Sequence, residues 1–203
     1  MLKALPMIRS RYPDVKVYVA GNSLVNYKTM KQKLKISAYG KYLRKLIRSN
    51  HLDKQVAFLG KMTAEQMKER YLKSHLFVCC SSMENSPNSL GEAMLLGVPC
   101  VSADVGGIPS IFTGGEDGIL YEGFRSPLNK FNNTSNLKNN DEKQMDIISK
   151  RLANAVVQIW SEDDKLEEYC RNARNHASKN HNRGRNYEKM KEIYSKIIME
   201  SGD

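Results

Sequence analysis

The sequence lacks any apolar run of about 18 residues, the length a helix needs to cross a bilayer. Its first seven residues have neither the long apolar stretch nor the small-residue cleavage site of a secretory signal. The chain therefore reads as neither spanning nor exported: a cytoplasmic protein that at most touches the inner face of a membrane. Its four cysteines, Cys79, Cys80, Cys100 and Cys170, form no C-x-x-C pair and no Cys/His group at metal-ligand spacing. No metal site is expected, and a reducing compartment is the simplest setting. There is no internal repeat, and 13 Gly and 6 Pro in 203 residues exclude a low-complexity or fibrous chain.

What is present is one domain's length of chain, 40% hydrophobic, enough for a sizeable core. Thirty-two Lys and Arg against 22 Asp and Glu leave a net charge of +10. That excess favours an anionic partner: a nucleotide diphosphate, a membrane surface or a nucleic acid. Nucleic acid is the weakest of the three, because the basic residues are not interleaved with exposed aromatics or a known reading motif.

Residues 2–11 read as a helical end stopped by Pro13, and residues 16–20 as a short β-branched strand ending at the Gly21-Asn22-Ser23 turn. Residues 31–49 place Leu34, Tyr39, Tyr42, Leu43, Leu46 and Ile47 among lysines at helical spacing, an amphipathic helix with a basic outer face. Strand 56–60 follows, then a helix opened by Thr63, with Gln66 at the capping-box position. The alternation continues with strand 75–81, helix 87–96, strand 98–102, a short helix near Pro109 and strand 118–121. Strands alternating with helices imply βαβ units, hence an α/β fold with a Rossmann-like parallel sheet flanked by helices. The strands are continuous apolar runs, as expected where helices cover both faces.

Residues 123–143 shift to Asn, Ser and Lys without period and read as a surface insertion. Beyond them the chain is helical. Ile147, Ile148, Leu152, Val156 and Ile159 form one apolar stripe, and residues 166–177 and 187–198 give two further helices, broken around 182–184. A sheet whose first visible element is a helix end feeding a strand leads us to expect an earlier strand outside this chain.

In open parallel sheets, ligands bind beyond the carboxyl ends of the strands, where loops feed helix N-termini. The best such loop runs from Ser81 to Glu92. Ser86 can cap the helix and Pro87 suits its first position, leaving the amides of Asn88, Ser89 and Leu90 to point outward. The helix dipole adds roughly half a positive charge there, which makes a phosphate site. Glu92 lies about 200° around the helix from Leu90 and can leave the buried stripe of Leu90, Ala93, Met94 and Gly97. Glu84 precedes the helix at the strand's carboxyl end. Carboxylates accept from ribose or sugar hydroxyls, so the pair suits a nucleotide sugar. Spacing alone leaves an equal alternative, in which Glu92 is a solvated helix residue and Glu84 a turn acid.

The run Glu84-Asn85-Ser86-Pro87-Asn88-Ser89-Leu90-Gly91-Glu92-Ala93-Met94, with Gly97-Val98-Pro99-Cys100-Val101 and Gly106-Gly107-Ile108-Pro109 after it, resembles the donor-binding half of the retaining GT-B glycosyltransferases of family 4, the group 1 family. Glu84 and Glu92 match its E-x7-E motif. The resemblance extends to Val19-Ala20-Gly21, Val56-Ala57-Phe58-Leu59-Gly60, Asp117-Gly118-Ile119-Leu120-Tyr121 and the closing helix with Ile193-Tyr194. It implies the C-terminal half of a GT-B fold over residues 1–203, and a nucleotide-diphosphate sugar as substrate with no separate cofactor. It also implies roles: Glu92 on the ribose, the amides of Asn88, Ser89 and Leu90 on the diphosphate, Glu84 on the donor sugar, and Gly60, Lys61 and Met62 against the nucleobase.

The implied activity is that of a hexosyltransferase in polysaccharide or glycolipid synthesis, in which Glu84 orients the donor and forms no covalent bond. The family's diphosphate-gripping Arg and Lys and its N-terminal acceptor domain fall outside this chain, so the isolated chain is expected to bind weakly and transfer nothing. Relatives often carry Glu where Ser110 follows the Gly-Gly-Ile-Pro run. Two alternatives stay open: a non-catalytic nucleotide-binding module of the same fold, and a GT-B-shaped UDP-sugar epimerase.

Other residues read as structural. Cys79 and Cys80 alternate across a buried strand, His75 sits at a strand start, His176 and His181 face solvent, and Tyr18, Tyr39, Tyr42 and Phe58 pack in the core or on helices. The lysine run 28–35 reads as a solvated face, with a peripheral membrane contact as its functional alternative.

Overall fold

The computed structural model describes residues 1–21, 37–124 and 137–200. Helix α1 (Leu5–Arg11) buries Leu5 and Ile8 and ends two residues before Pro13. Strand β1 (Val17–Ala20) follows, then α2 (Ala38–Ser49), whose N-terminal Ser37 hydroxyl accepts from Gly40 N at 3.0 Å. Next come β2 (Val56–Gly60), α3 (Ala64–Leu72), β3 (Phe77–Cys79), α4 (Asn88–Leu95), β4 (Cys100–Asp104), a 3-10 turn (Ile108–Ser110) and β5 (Ile119–Glu122). The chain closes with α5 (Leu137–Ser161), α6 (Asp163–Asn180) and α7 (Arg183–Glu200). The capping box expected on α3 is formed: Thr63 N donates to Gln66 Oε1 at 2.9 Å, and Gln66 N to Thr63 Oγ1 at 3.3 Å.

All strand pairings are parallel, and the helices flank them, as the alternation of elements requires. They form two ladders instead of one continuous sheet: β1 beside β2, and β3-β4-β5 in that order. Strands β1 and β3 therefore each carry an edge with no partner strand among the described residues. Tyr18 of β1 is 46% exposed although the strand reads as a doubly covered apolar run, so the face of the β1-β2 ladder that carries it is open. The core lies around β4, whose Cys100, Val101, Ser102 and Ala103 are buried, under Leu90, Ala93 and Met94 of α4 and Leu152, Val156 and Ile159 of α5. Each of the Val, Leu, Ile and Met side chains among these, taken from water, contributes about 1.5–3 kcal/mol.

Several sequence expectations are corrected. Helix α5 begins at Leu137, so residues 137–143 of the expected insertion are helical, while 125–136 lie outside the described residues. Leu34 and the lysine run 28–35 also lie outside them. Tyr18, Tyr39 and Tyr42 are exposed; Tyr39 and Tyr42 stack on each other at 6.5 Å on the surface of α2, because that helix turns Leu43 and Ile47 inward. Strand β3 stops at Cys79, which is buried, and Cys80 is exposed beyond it. His176 is tied rather than solvated: its Nδ1 lies 2.7 Å from Oδ2 of Asp117, a carboxylate 3% exposed that also accepts from Thr113 N at 2.8 Å. Through this pair, and through Arg174 donating to Leu96 O at 3.2 Å, α6 holds both the turn before β5 and the C-terminus of α4.

Candidate functional site

The loop from β3 to α4 carries both glutamates. Ser81 Oγ donates to Glu84 Oε1 at 2.7 Å, which fixes the first carboxylate just beyond the strand. The backbone of this loop is held from the other side by the turn after β4. Gly107 N donates to Glu84 O at 3.0 Å, and a Cβ at Gly106 or Gly107 would collide with the carbonyls of Glu84 and Asn85 respectively. The Gly-Gly pair is thus required by direct backbone-on-backbone packing.

Helix α4 starts one residue later than expected. Pro87 is its N-cap, buried and without a side-chain cap, so Ser86 caps nothing. The consequence falls on Leu90: its amide donates to Pro87 O at 3.1 Å and its side chain is fully buried, so it is not an outward donor. Asn88 and Ser89 are exposed, and their amides have no hydrogen-bond partner among the described residues. They are the donors an anion would meet at this helix end.

Glu92 is exposed, opposite the buried face of Leu90, Ala93 and Met94, as its angular position requires. Its Oε2 lies 3.3 Å from Tyr71 Oη, which is also 3.2 Å from Ser89 O. Burial first, then the Glu92 charge and the hydrogen bond to it, hold the Tyr71 phenol pKa well above the ordinary tyrosine value.

Gly60, Lys61 and Met62 stand apart from the glutamates. Gly60, at φ +77°, accepts from Gly21 N at 2.8 Å and ends the β1-β2 ladder. Lys61 and Met62 line a shallow depression of about 280 Å³ with Gln66, Glu69 and Arg70 of α3 and Lys73 just beyond its end. Helix α3 joins the two regions, because Arg70 faces the depression and lies 4.2 Å from the Tyr18 ring centroid while its neighbour Tyr71 reaches Glu92.

The sequence places Glu84, Asn88, Ser89 and Glu92 in one loop-and-helix segment, while the bonds from Ser81 and Tyr71 to the two glutamates show only in the fold, although Ser81 lies in the same loop. Tyr71 is distant in sequence and shows only as one apolar-looking position of an amphipathic helix. Among the described residues no group of three or more His, Cys, Asp or Glu could hold a metal ion.

Comparison with known proteins identifies the family and the fold. The family model described as glycosyl transferases group 1 matches residues 1–151. N-acetyl-alpha-D-glucosaminyl L-malate synthase of Bacillus anthracis is 38% identical over 77 residues, 38% of this chain and 20% of that protein. Spore coat protein SA of Bacillus subtilis is 25% identical over 147 residues, 71% of this chain and 36% of that protein. The structure of HepE from Anabaena in complex with UDP aligns over 96% of this chain and 44% of that one, with a TM-score of 0.70 at 21% identity, a likeness of fold. This chain spans a fifth to about a third of the length of these curated relatives. The chain belongs to the group 1 glycosyltransferases and has the fold of the C-terminal domain of their GT-B architecture.

Proposed function

We propose that this chain is the donor-binding domain of a retaining hexosyltransferase that moves a sugar from a nucleotide-diphosphate sugar to an acceptor in polysaccharide or glycolipid synthesis. The observation that carries the reading is the arrangement of two glutamates around the α4 N-terminus, with two unpartnered amides between them. HepE, which shares the fold, was solved with UDP and with UDP-glucose.

In this reading Glu92 accepts from the ribose hydroxyls, the amides of Asn88 and Ser89 donate to the diphosphate, and Glu84, steadied by Ser81, accepts from the sugar hydroxyls. Gly60, Lys61 and Met62 take the nucleobase across the α3 depression. Catalysis comes from positioning and from stabilising charge on the departing diphosphate, with no covalent bond to Glu84. In this reading these 203 residues bind the donor and do not carry out transfer by themselves.

Peripheral contact with the inner membrane face belongs to the same reading. Among the described residues no helix is long and apolar enough to cross a membrane. The outer face of α2 offers Lys41, Lys45 and Arg48 beside the exposed Tyr39 and Tyr42.

Calorimetric titration with UDP, GDP and ADP tests the donor site. One of the three is expected to bind the chain, and Glu92→Ala to bind it far more weakly. Equal affinity in the variant overturns the reading.

A further inference from the structure

We propose that Tyr71 is the positioning residue of the nucleotide site: its hydroxyl sets the orientation in which Glu92 meets a ligand's vicinal hydroxyls. The proposal rests on the donor-site reading above. Glu92 itself is exposed on an open helix face, where a glutamate side chain ordinarily samples several rotamers. Tyr71 is its opposite, only 4% exposed, with its ring edge-on to Phe77 at 5.6 Å between centroids. A ring packed this way keeps its Oη in one place, and that place is 3.3 Å from Glu92 Oε2.

The hydroxyl has one proton and two acceptors in reach, Glu92 Oε2 and Ser89 O at 3.2 Å. The charged carboxylate is the stronger acceptor, so in the free site the Tyr71 hydroxyl donates to Glu92. Donation to Oε2 leaves Oε1 and the outer lone pairs of the carboxylate turned to solvent, where a vicinal diol can donate. Ser89 is also one of the two residues whose amides face the anion. Tyr71 thus touches the ribose-binding carboxylate and the backbone of the phosphate-binding turn at once, and it does so from α3, the helix that lines the Lys61–Met62 depression.

The test is a double-variant cycle on the 203-residue chain, titrated calorimetrically with whichever of UDP, GDP or ADP the unmodified chain takes up most tightly. Tyr71→Phe keeps the ring and removes only the hydroxyl; it is expected to weaken binding about tenfold, the effect of losing one hydrogen bond to a charged group. In a Glu92→Ala background the same change is expected to cost nothing more. Equal weakening in both backgrounds would show a packing role and overturn the proposal, as would Tyr71→Phe binding at full strength while Glu92→Ala does not. If Glu92→Ala binds normally, or no nucleotide binds, it is the donor-site reading that fails. A nucleotide-free measurement then decides the Tyr71 bond: the ¹³Cζ resonance of Tyr71 is expected to move in Glu92→Gln, and an unmoved resonance overturns it.

Discussion

The backbone amide of Gly107 donates to the carbonyl of Glu84 at 3.0 Å, so the turn after β4 braces the loop that carries the first glutamate. The contact joins two motifs that lie far apart in the chain. It explains why a Gly-Gly pair follows β4: either glycine's missing Cβ is the space the neighbouring backbone occupies.

Gly106→Ala should therefore destabilise the fold by more than a left-handed glycine normally does. Gly106 sits at φ +55° against the Glu84 carbonyl, whereas Gly115, at φ +83°, has nothing within 4 Å of its Cβ position. Backbone strain alone accounts for about 1–3 kcal/mol in each. Chemical denaturation should rank Gly106→Ala clearly below Gly115→Ala, and equal losses would show that the brace bears nothing.

Ser81→Ala should leave nucleotide affinity intact and lower the preference for the nucleotide sugar over the bare nucleotide. Ser81 touches Glu84 and not Glu92. Loss of a bond to a charged group corresponds to roughly tenfold in that ratio. Competition titrations with the nucleotide and its hexose conjugate measure it, and a parallel fall in both affinities would place Glu84 elsewhere in the site.

The cysteines should separate by reactivity. Cys80 is exposed, while burial raises the thiol pKa of both Cys79 and Cys100 and keeps them protonated. Under native conditions iodoacetamide should alkylate Cys80 first, with Cys79 and Cys100 modified only on unfolding. Early labelling of Cys100 would mean that the β4 core opens.

Glu162 supplies a pH dependence. The Tyr169 hydroxyl donates to it at 2.7 Å and Gln158 Nε2 at 3.0 Å, which holds its carboxyl below the usual glutamate range. A depressed folded-state pKa gives stability that is full above the unfolded value and lost as pH falls through the lowered one. Bonding to Glu162 in turn pushes the Tyr169 phenol up to about 12, so its share persists until strongly alkaline pH. Melting curves of the parent chain and Glu162→Gln should differ at pH 7 and converge toward pH 3.

The basic face of α2 can be read with vesicles. Sedimentation with phosphatidylglycerol vesicles, but not phosphatidylcholine, is expected at low salt, and Lys41→Glu with Lys45→Glu should abolish it. Equal sedimentation with both lipids would remove the membrane from the reading.

Much of this architecture was legible in local pattern. The strand runs, the Thr63-Gln66 capping box and the position of Glu92 opposite Leu90 all follow from periodicity and cap chemistry, which act within a few residues. What pattern could not show was set by contacts between distant segments. Tyr71 reads as a core aromatic until Ser89 and Glu92 are placed beside its hydroxyl, and His176 reads as solvated until the Asp117 carboxylate is found under it. The exposure of Tyr18 has a related origin, since an apolar strand does not reveal whether anything covers each of its faces. Leu90 departs from expectation because its amide closes a tight i→i−3 bond to the carbonyl of Pro87, the N-cap of α4, a local geometry that residue types alone do not specify.

The most direct measurement is an amide chemical-shift titration of the ¹⁵N-labelled chain with UDP, GDP and ADP. Shifts concentrated at Lys61, Met62, Asn88, Ser89 and Glu92, absent in Glu92→Ala, are the expected result. Shifts confined to the basic face of α2, or a pattern that survives loss of the Glu92 carboxylate, would show that the α4 N-terminus is not the donor site.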